Sequence, residues 1–227
     1  AFDLPWHGKS SPPPGFEHEA YRLTTDGYVD IVMAVSRALG LDLPVVMGCS
    51  IGGRAVLHLA LRHGEHFRAA IGLQSATHAD AGADTRLRDL GFMFRPDVHG
   101  QEAAAGSVAC LIAPTAPAAD RWETLWHYMQ GGPSVFLGDL HYYFTDGDLR
   151  NAPLDALDTH KCPLYLLTGE YDLSATPELT AEVARLTKAR HFEVMQGMGH
   201  FPMSESPAEF RRYLLPILDR IVAEATG

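Results

Sequence analysis

The chain has 227 residues, 46% of them hydrophobic, and a formal net charge of −10. That length and apolar content suffice for one buried core, with or without an insertion, and exclude a disordered chain. The acidic residues are scattered, so no basic stripe exists for a nucleic-acid backbone or an anionic bilayer, and no apolar run approaches the roughly 20 residues of a membrane span.

The opening Ala1-Phe2-Asp3-Leu4 reads as the tail of a strand, so the native polypeptide and its first strands are expected to begin further upstream. A proline cluster at residues 12–14 follows. Residues 26–39 place Val29, Val32, Val35 and Leu39 on one helical face, with Thr25 or Asp26 as N-cap and Gly40 at the far end. Residues 43–47 form an apolar run too short for a helix, the pattern of a strand buried on both faces. Helical spacing returns over 51–63 through Ala55, Val56, Leu59 and Ala60, and residues 69–73 are strand-like.

The stretch 77–160 breaks this alternation. It carries helical patterns at 100–112, 120–130 and 136–144, separated by Pro114, Pro117 and Gly131-Gly132-Pro133. Alternation then resumes with strand-like 163–168, a helix over 177–188 and strand-like 191–195. The last helix opens on Ser206-Pro207-Ala208-Glu209, a capping box with proline at the first helical position, and Pro216 is expected to kink it. Strands alternating with helices predict a mostly parallel, doubly wound α/β sheet. The predicted organisation is core over 1–76, an inserted helical cap over 77–160 and core again over 161–227.

Three widely spaced cysteines, Cys49, Cys110 and Cys162, fit neither a disulfide framework nor a zinc site. They point to a reducing, cytoplasmic location. No metal and no organic cofactor is implied.

Chemistry concentrates at Gly48-Cys49-Ser50-Ile51-Gly52-Gly53, between the strand at 43–47 and the helix at 51–63. Small residues around the serine let the backbone turn sharply and leave its hydroxyl exposed at the carboxyl edge of the sheet. The competing reading, a phosphate-cradling loop, lacks the lysine that must follow the glycines. A serine hydroxyl needs a base, and His200 lies on a glycine-rich loop between the last strand and the last helix, where sites of open parallel sheets gather. His58, His63 and His66 belong to the helix behind the serine, and His127 and His141 to the insertion. The base in turn needs an acceptor; Asp172, after the strand at 163–168, is favoured over Glu170 and Asp158.

At this point the residues resemble a family. Asp3-Leu4-Pro5-Trp6-His7-Gly8-Lys9-Ser10 resembles the D-x-P-G-H-G-x-S turn after the fourth strand of α/β-hydrolase fold proteins, with Trp6 where glycine is usual. Residues 48–53 resemble their nucleophile elbow, 169–172 their acid turn and 197–202 their histidine loop. The resemblance implies Ser50 as nucleophile, His200 as base, Asp172 as its orienting acid and the Ile51 backbone N–H as one oxyanion donor. The second donor would come from a loop upstream of residue 1. Serine rather than aspartate at 50 argues against the dehalogenase and epoxide hydrolase branches.

The function expected is hydrolysis of a carboxylic ester, lactone or thioester of a small, largely apolar molecule through an acyl-enzyme at Ser50. Trp122, Trp126, Tyr128, Phe136, Tyr142 and Tyr143 of the insertion are expected to line the pocket, although packing accounts for any one of them. Carbon-carbon bond hydrolysis of ring-fission products is the alternative on the same scaffold, and a ligand-binding sensor is the alternative of another class. The partner expected is a small-molecule substrate, with neither nucleic acid nor membrane; self-association as a homo-oligomer stays open.

Overall fold

The computed structural model describes residues 1–10, 21–79, 102–132 and 135–226. Four strands, β1 (Val45–Cys49), β2 (Ala69–Leu73), β3 (Leu164–Gly169) and β4 (His191–Met195), form one parallel sheet in the order β1-β2-β3-β4. Parallel neighbours need crossover connections. Helix α2 (Ile51–His63) joins β1 to β2, and a helix over Pro177–Thr187 joins β3 to β4. Helix α1 (Thr25–Ala38) precedes β1.

Side chains alternate along the strands between two apolar layers, as a period of two demands. Ala70, Leu164 and Leu166 face Val29 and Met33 of α1, Val56 and Leu59 of α2, and Val183 of the β3–β4 crossover helix. Ile71, Leu73, Tyr165 and Leu167 face Phe210, Ile217 and Ile221 of the last helix (Pro207–Thr226) on the other side. Both faces of the central strands β2 and β3 are thus covered. Strand β1, expected over 43–47 as buried on both faces, runs over Val45–Cys49 and leaves Val45 and Met47 exposed on one side, because no described element packs there.

Between β2 and β3 lie α3 (Glu102–Ala109), α4 (Ala118–Met129) and α5 (Val135–His141), the last running into a π-helical turn at Tyr142–Asp146. The crossover helix is α6, a short α7 spans Pro202–Glu205, and the final helix is α8. No described helix is long and apolar enough to cross a membrane.

The structure departs from the sequence reading in places. Residues 1–4 are not a strand: their polar groups fold into a tight turn in which the Lys9 amide donates to Asp3 Oδ2 and the Ser10 hydroxyl to the Asp3 carbonyl. Trp6 occupies a left-handed conformation (φ 74°) that glycine adopts at no cost, and its ring packs 5.3 Å from that of Tyr21. The N-cap of α1 is Thr24, whose hydroxyl accepts from the Gly27 amide, because Thr25 instead donates its own amide to Asp146. Pro12–Pro14, Gly100 and Pro133 lie outside the described residues.

Candidate active site

All four strands point the same way, so the turns that follow β1, β3 and β4 meet at one edge of the sheet. The turn after β1 is Ser50, with φ 58° and ψ −112°. A non-glycine residue held there is strained and is a mark of functional turns. Backbone packing around it explains the glycines. A Cβ on Gly48 would lie 2.3 Å from the Gly52 carbonyl, and one on Gly53 would lie 2.3 Å from the Leu73 carbonyl of β2. The Ser50 amide donates to that same Leu73 carbonyl at 2.9 Å, fixing the turn to the neighbouring strand. Ile51 then begins α2, so its amide is among those the helix cannot satisfy internally, at the positive end of the helix dipole.

Asp172, 2% exposed, follows β3, and His200, 3% exposed, follows β4. His200 Nδ1 lies 2.8 Å from Asp172 Oδ2, with both side chains buried. Since a carboxylate only accepts, Nδ1 carries the proton, and in the neutral ring Nε2 presents a lone pair. The other oxygen of Asp172 accepts the amides of Ser174 (2.7 Å) and Ala175 (3.1 Å). That arrangement holds the carboxylate rigidly against the ring. Of the two competitors, Glu170 accepts the Gly197 amide instead, and Asp158 accepts the amides of His160 and Lys161 on the surface.

The backbone carrying His200 is held on several sides. The Gly199 carbonyl accepts from Gln74 Nε2 at 2.9 Å, the His200 amide donates to the Leu111 carbonyl, and the His200 carbonyl accepts from Cys49 Sγ at 3.3 Å. The last contact sets the residue before Ser50 directly against His200. The described hydrogen bond of the ring goes to Asp172, and none described joins the ring to the Ser50 hydroxyl. Cys49 is itself half-buried, and desolvation followed by the charges of Asp172 and Glu205 pushes its thiol far above the ordinary range, so it is no thiolate.

The six aromatic residues expected to line a pocket divide into four groups. Tyr128 stacks edge-on against Phe136 (6.3 Å) and Phe201 (5.7 Å), and Phe201 against the His200 ring (4.8 Å), so Tyr128 and Phe136 connect to the histidine through Phe201. The Tyr143 hydroxyl bonds Ser174 Oγ at 2.8 Å, which brings it to the Asp172 loop. Tyr142 is fully buried against Tyr28 and His58, a packing role, while Trp122 and Trp126 stand 69% and 61% exposed on α4. Gln74, Ser174 and Glu205 form part of the site and carry no motif in the sequence, and Phe201 lies in the histidine loop without having been singled out. Gln74 alone has a local signature, a positive φ of 50°, which only coordinates reveal.

A parallel sheet with an elbow serine and a buried histidine-carboxylate pair at its carboxyl edge defines a hydrolase-type scaffold. The sequence matches the model of the alpha/beta hydrolase family over residues 1–213, and the chain belongs to that family. It is similar in structure to a thermophilic esterase from Thermogutta terrifontis (TM-score 0.77, 21% identity, 96% of this chain and 78% of that one). It is also similar to a hydrolase from Pseudomonas aeruginosa PA01 (TM-score 0.75, 18% identity, 94% and 76%). An enol-lactonase from Burkholderia xenovorans LB400 aligns with TM-score 0.71 at 18% identity, over 94% and 77%. A search of curated proteins finds no match. A hydrolytic activity follows from the family.

Proposed function

We propose that the protein is a serine hydrolase acting on a carboxylic ester, lactone or thioester of a small, largely apolar substrate. The observation that carries this reading is the buried 2.8 Å bond between His200 Nδ1 and Asp172, on turns that share the sheet edge with the strained Ser50. In this reading His200 Nε2 takes the Ser50 proton as Oγ attacks the acyl carbon, and their contact tightens when substrate binds. Asp172 keeps the tautomer and steadies the imidazolium. The Ile51 amide donates to the developing oxyanion. Collapse expels the alcohol, protonated by His200; water, deprotonated by the same ring, then attacks the acyl-enzyme and releases the acid with Ser50 restored.

The helices between β2 and β3 act as a cap, with Tyr128, Phe136 and Tyr143 as the aromatic residues nearest the chemistry. A fluorophosphonate probe followed by peptide mass spectrometry tests the nucleophile. The expected result is one adduct at Ser50, absent in Ser50→Ala. A folded protein that takes no adduct and cleaves no ester refutes the proposal in favour of a binding sensor. A panel of p-nitrophenyl esters beside a dienoic ring-fission product tests the bond cleaved: turnover of the dienoic compound alone moves the reading to carbon-carbon hydrolysis.

A further inference from the structure

Glu205 ends α7 and is fully buried. Its Oε1 accepts the Gly199 amide at 2.5 Å and its Oε2 accepts the Ala113 amide at 2.8 Å, with the Phe201 amide adding to the same charge. The amides on either side of His200, and one from the segment between β2 and β3, thus converge on one carboxylate. Room there is tight: a Cβ on Gly199 would lie 2.5 Å from the Ala113 nitrogen and 3.0 Å from Glu205 Oε2. Among the described residues no lysine or arginine forms an ion pair with it. The titratable groups facing it are His200 and, at the end of β1, Cys49, while Arg121 of α4 donates to the Ala113 carbonyl, in the next peptide unit.

An ionisable group buried without a counter-charge is costly, and burial does push the Glu205 carboxyl up against the lowering effect of the three amides and of His200. A neutral side chain of the same length would not serve. Glutamine offers one acceptor oxygen and two donor hydrogens, so it leaves one of the two bonded amides facing an N–H. What the site requires is two acceptors on one rigid stem.

We propose that Glu205 is the positioning residue for His200, fixing the backbone on both sides of the histidine and lacing it to the segment carrying Ala113. Two further bonds run along the same seam, from the His200 amide to the Leu111 carbonyl and from Thr115 Oγ1 to the Gly197 carbonyl at 2.5 Å. A displacement of either strand of this seam moves the imidazole relative to Ser50. The effect on rate rests on the serine-hydrolase reading; the effect on the His200 ring does not.

The test compares the wild type with Glu205→Gln and Glu205→Asp in thermal melting, steady-state hydrolysis of a p-nitrophenyl ester, phosphonate labelling, and the downfield proton resonance of His200 Nδ1–H. In folded Glu205→Gln, kcat is expected to fall about 10- to 100-fold with KM nearly unchanged. Labelling should slow in parallel and the resonance should shift or broaden; Glu205→Asp, which keeps two acceptor oxygens, should recover part of the loss. Wild-type kcat together with an unmoved resonance in folded Glu205→Gln overturns the proposal. Should Glu205→Gln not fold, Glu205→Asp decides alone: a lower kcat at constant KM with a moved resonance upholds it, wild-type values overturn it. A wild type that takes no label defeats the serine-hydrolase reading, and the resonance comparison then still judges Glu205.

Discussion

Asp172 uses one carboxylate oxygen on two backbone amides and the other on His200, so its orientation is set before any substrate arrives. Replacing it with asparagine keeps the shape but offers the ring an amide that can select the wrong tautomer. Asp172→Asn is therefore expected to lower kcat by about 10⁴-fold while thermal melting changes little, as measured by steady-state ester hydrolysis. Glu170→Gln, which touches only the Gly197 amide, serves as the contrast and should retain most activity. At this scale the sequence was informative wherever backbone geometry demands a residue type. Gly48 and Gly53 are required by carbonyls a little over 2 Å from their absent Cβ atoms, and that requirement shows as glycines around a serine. Glu205 was illegible, because a lone acid ahead of a proline reads as an ordinary surface cap. Trp122 and Trp126 were expected at a pocket from the aromatic content of the insertion, but composition does not say which side of a helix a ring occupies, and both stand exposed on α4.

His7 shows how one turn ties the core to a helix of the intervening segment. Its Nε2 lies 3.0 Å from Asp139 Oδ2 on α5 and its Nδ1 3.0 Å from the Pro5 carbonyl, so both ring nitrogens face acceptors, which only a doubly protonated ring satisfies. The Tyr21 hydroxyl donates to the other oxygen of Asp139 at 2.9 Å. Burial lowers the His7 imidazole, but the hydrogen bond and charge of Asp139, helped by the Pro5 carbonyl and Asp3, raise it to a net value above the ordinary 6.5. A folded-state pKa above the unfolded one gives stability that is complete below about pH 6.5 and is lost as pH rises through the raised value. Melting temperatures of the wild type and His7→Gln should therefore differ most at about pH 5.5 and converge at about pH 8.5. A constant gap across that range would refute the ion-pair account. The helices and strands themselves were largely legible, since 3.6-residue and two-residue periods survive packing. The start of α8 after Ser206 was legible too, whereas the N-cap of α1 was not: Thr24 takes the role while a distant Asp146 holds Thr25, a contact that no local pattern encodes.

On the scale of the whole molecule, the alternating order of elements predicted a parallel sheet, and the sheet is built that way. Its stability depends on the central strands. Leu166 of β3 is fully buried in the layer shared by α1, α2 and α6. Leu166→Ala is expected to cost about 2–5 kcal/mol in denaturant unfolding, because it removes apolar contact and leaves a cavity. A cost under about 1 kcal/mol would show that this layer closes over the gap.

Strand β3 pairs with β2, yet the two are separated along the chain by every helix of the intervening segment. Local contacts such as β1–α2–β2 can form early, whereas the β2–β3 ladder must wait for a long loop to close, at an entropic cost that rises slowly with the separation of its ends. During synthesis β1, α2 and β2, which flank Ser50, therefore emerge ahead of β3 and β4, which precede Asp172 and His200. On the proposed serine-hydrolase reading, Ser50, Asp172 and His200 are expected to meet only once the β2–β3 ladder has closed, so gain of activity should lag behind the formation of helix.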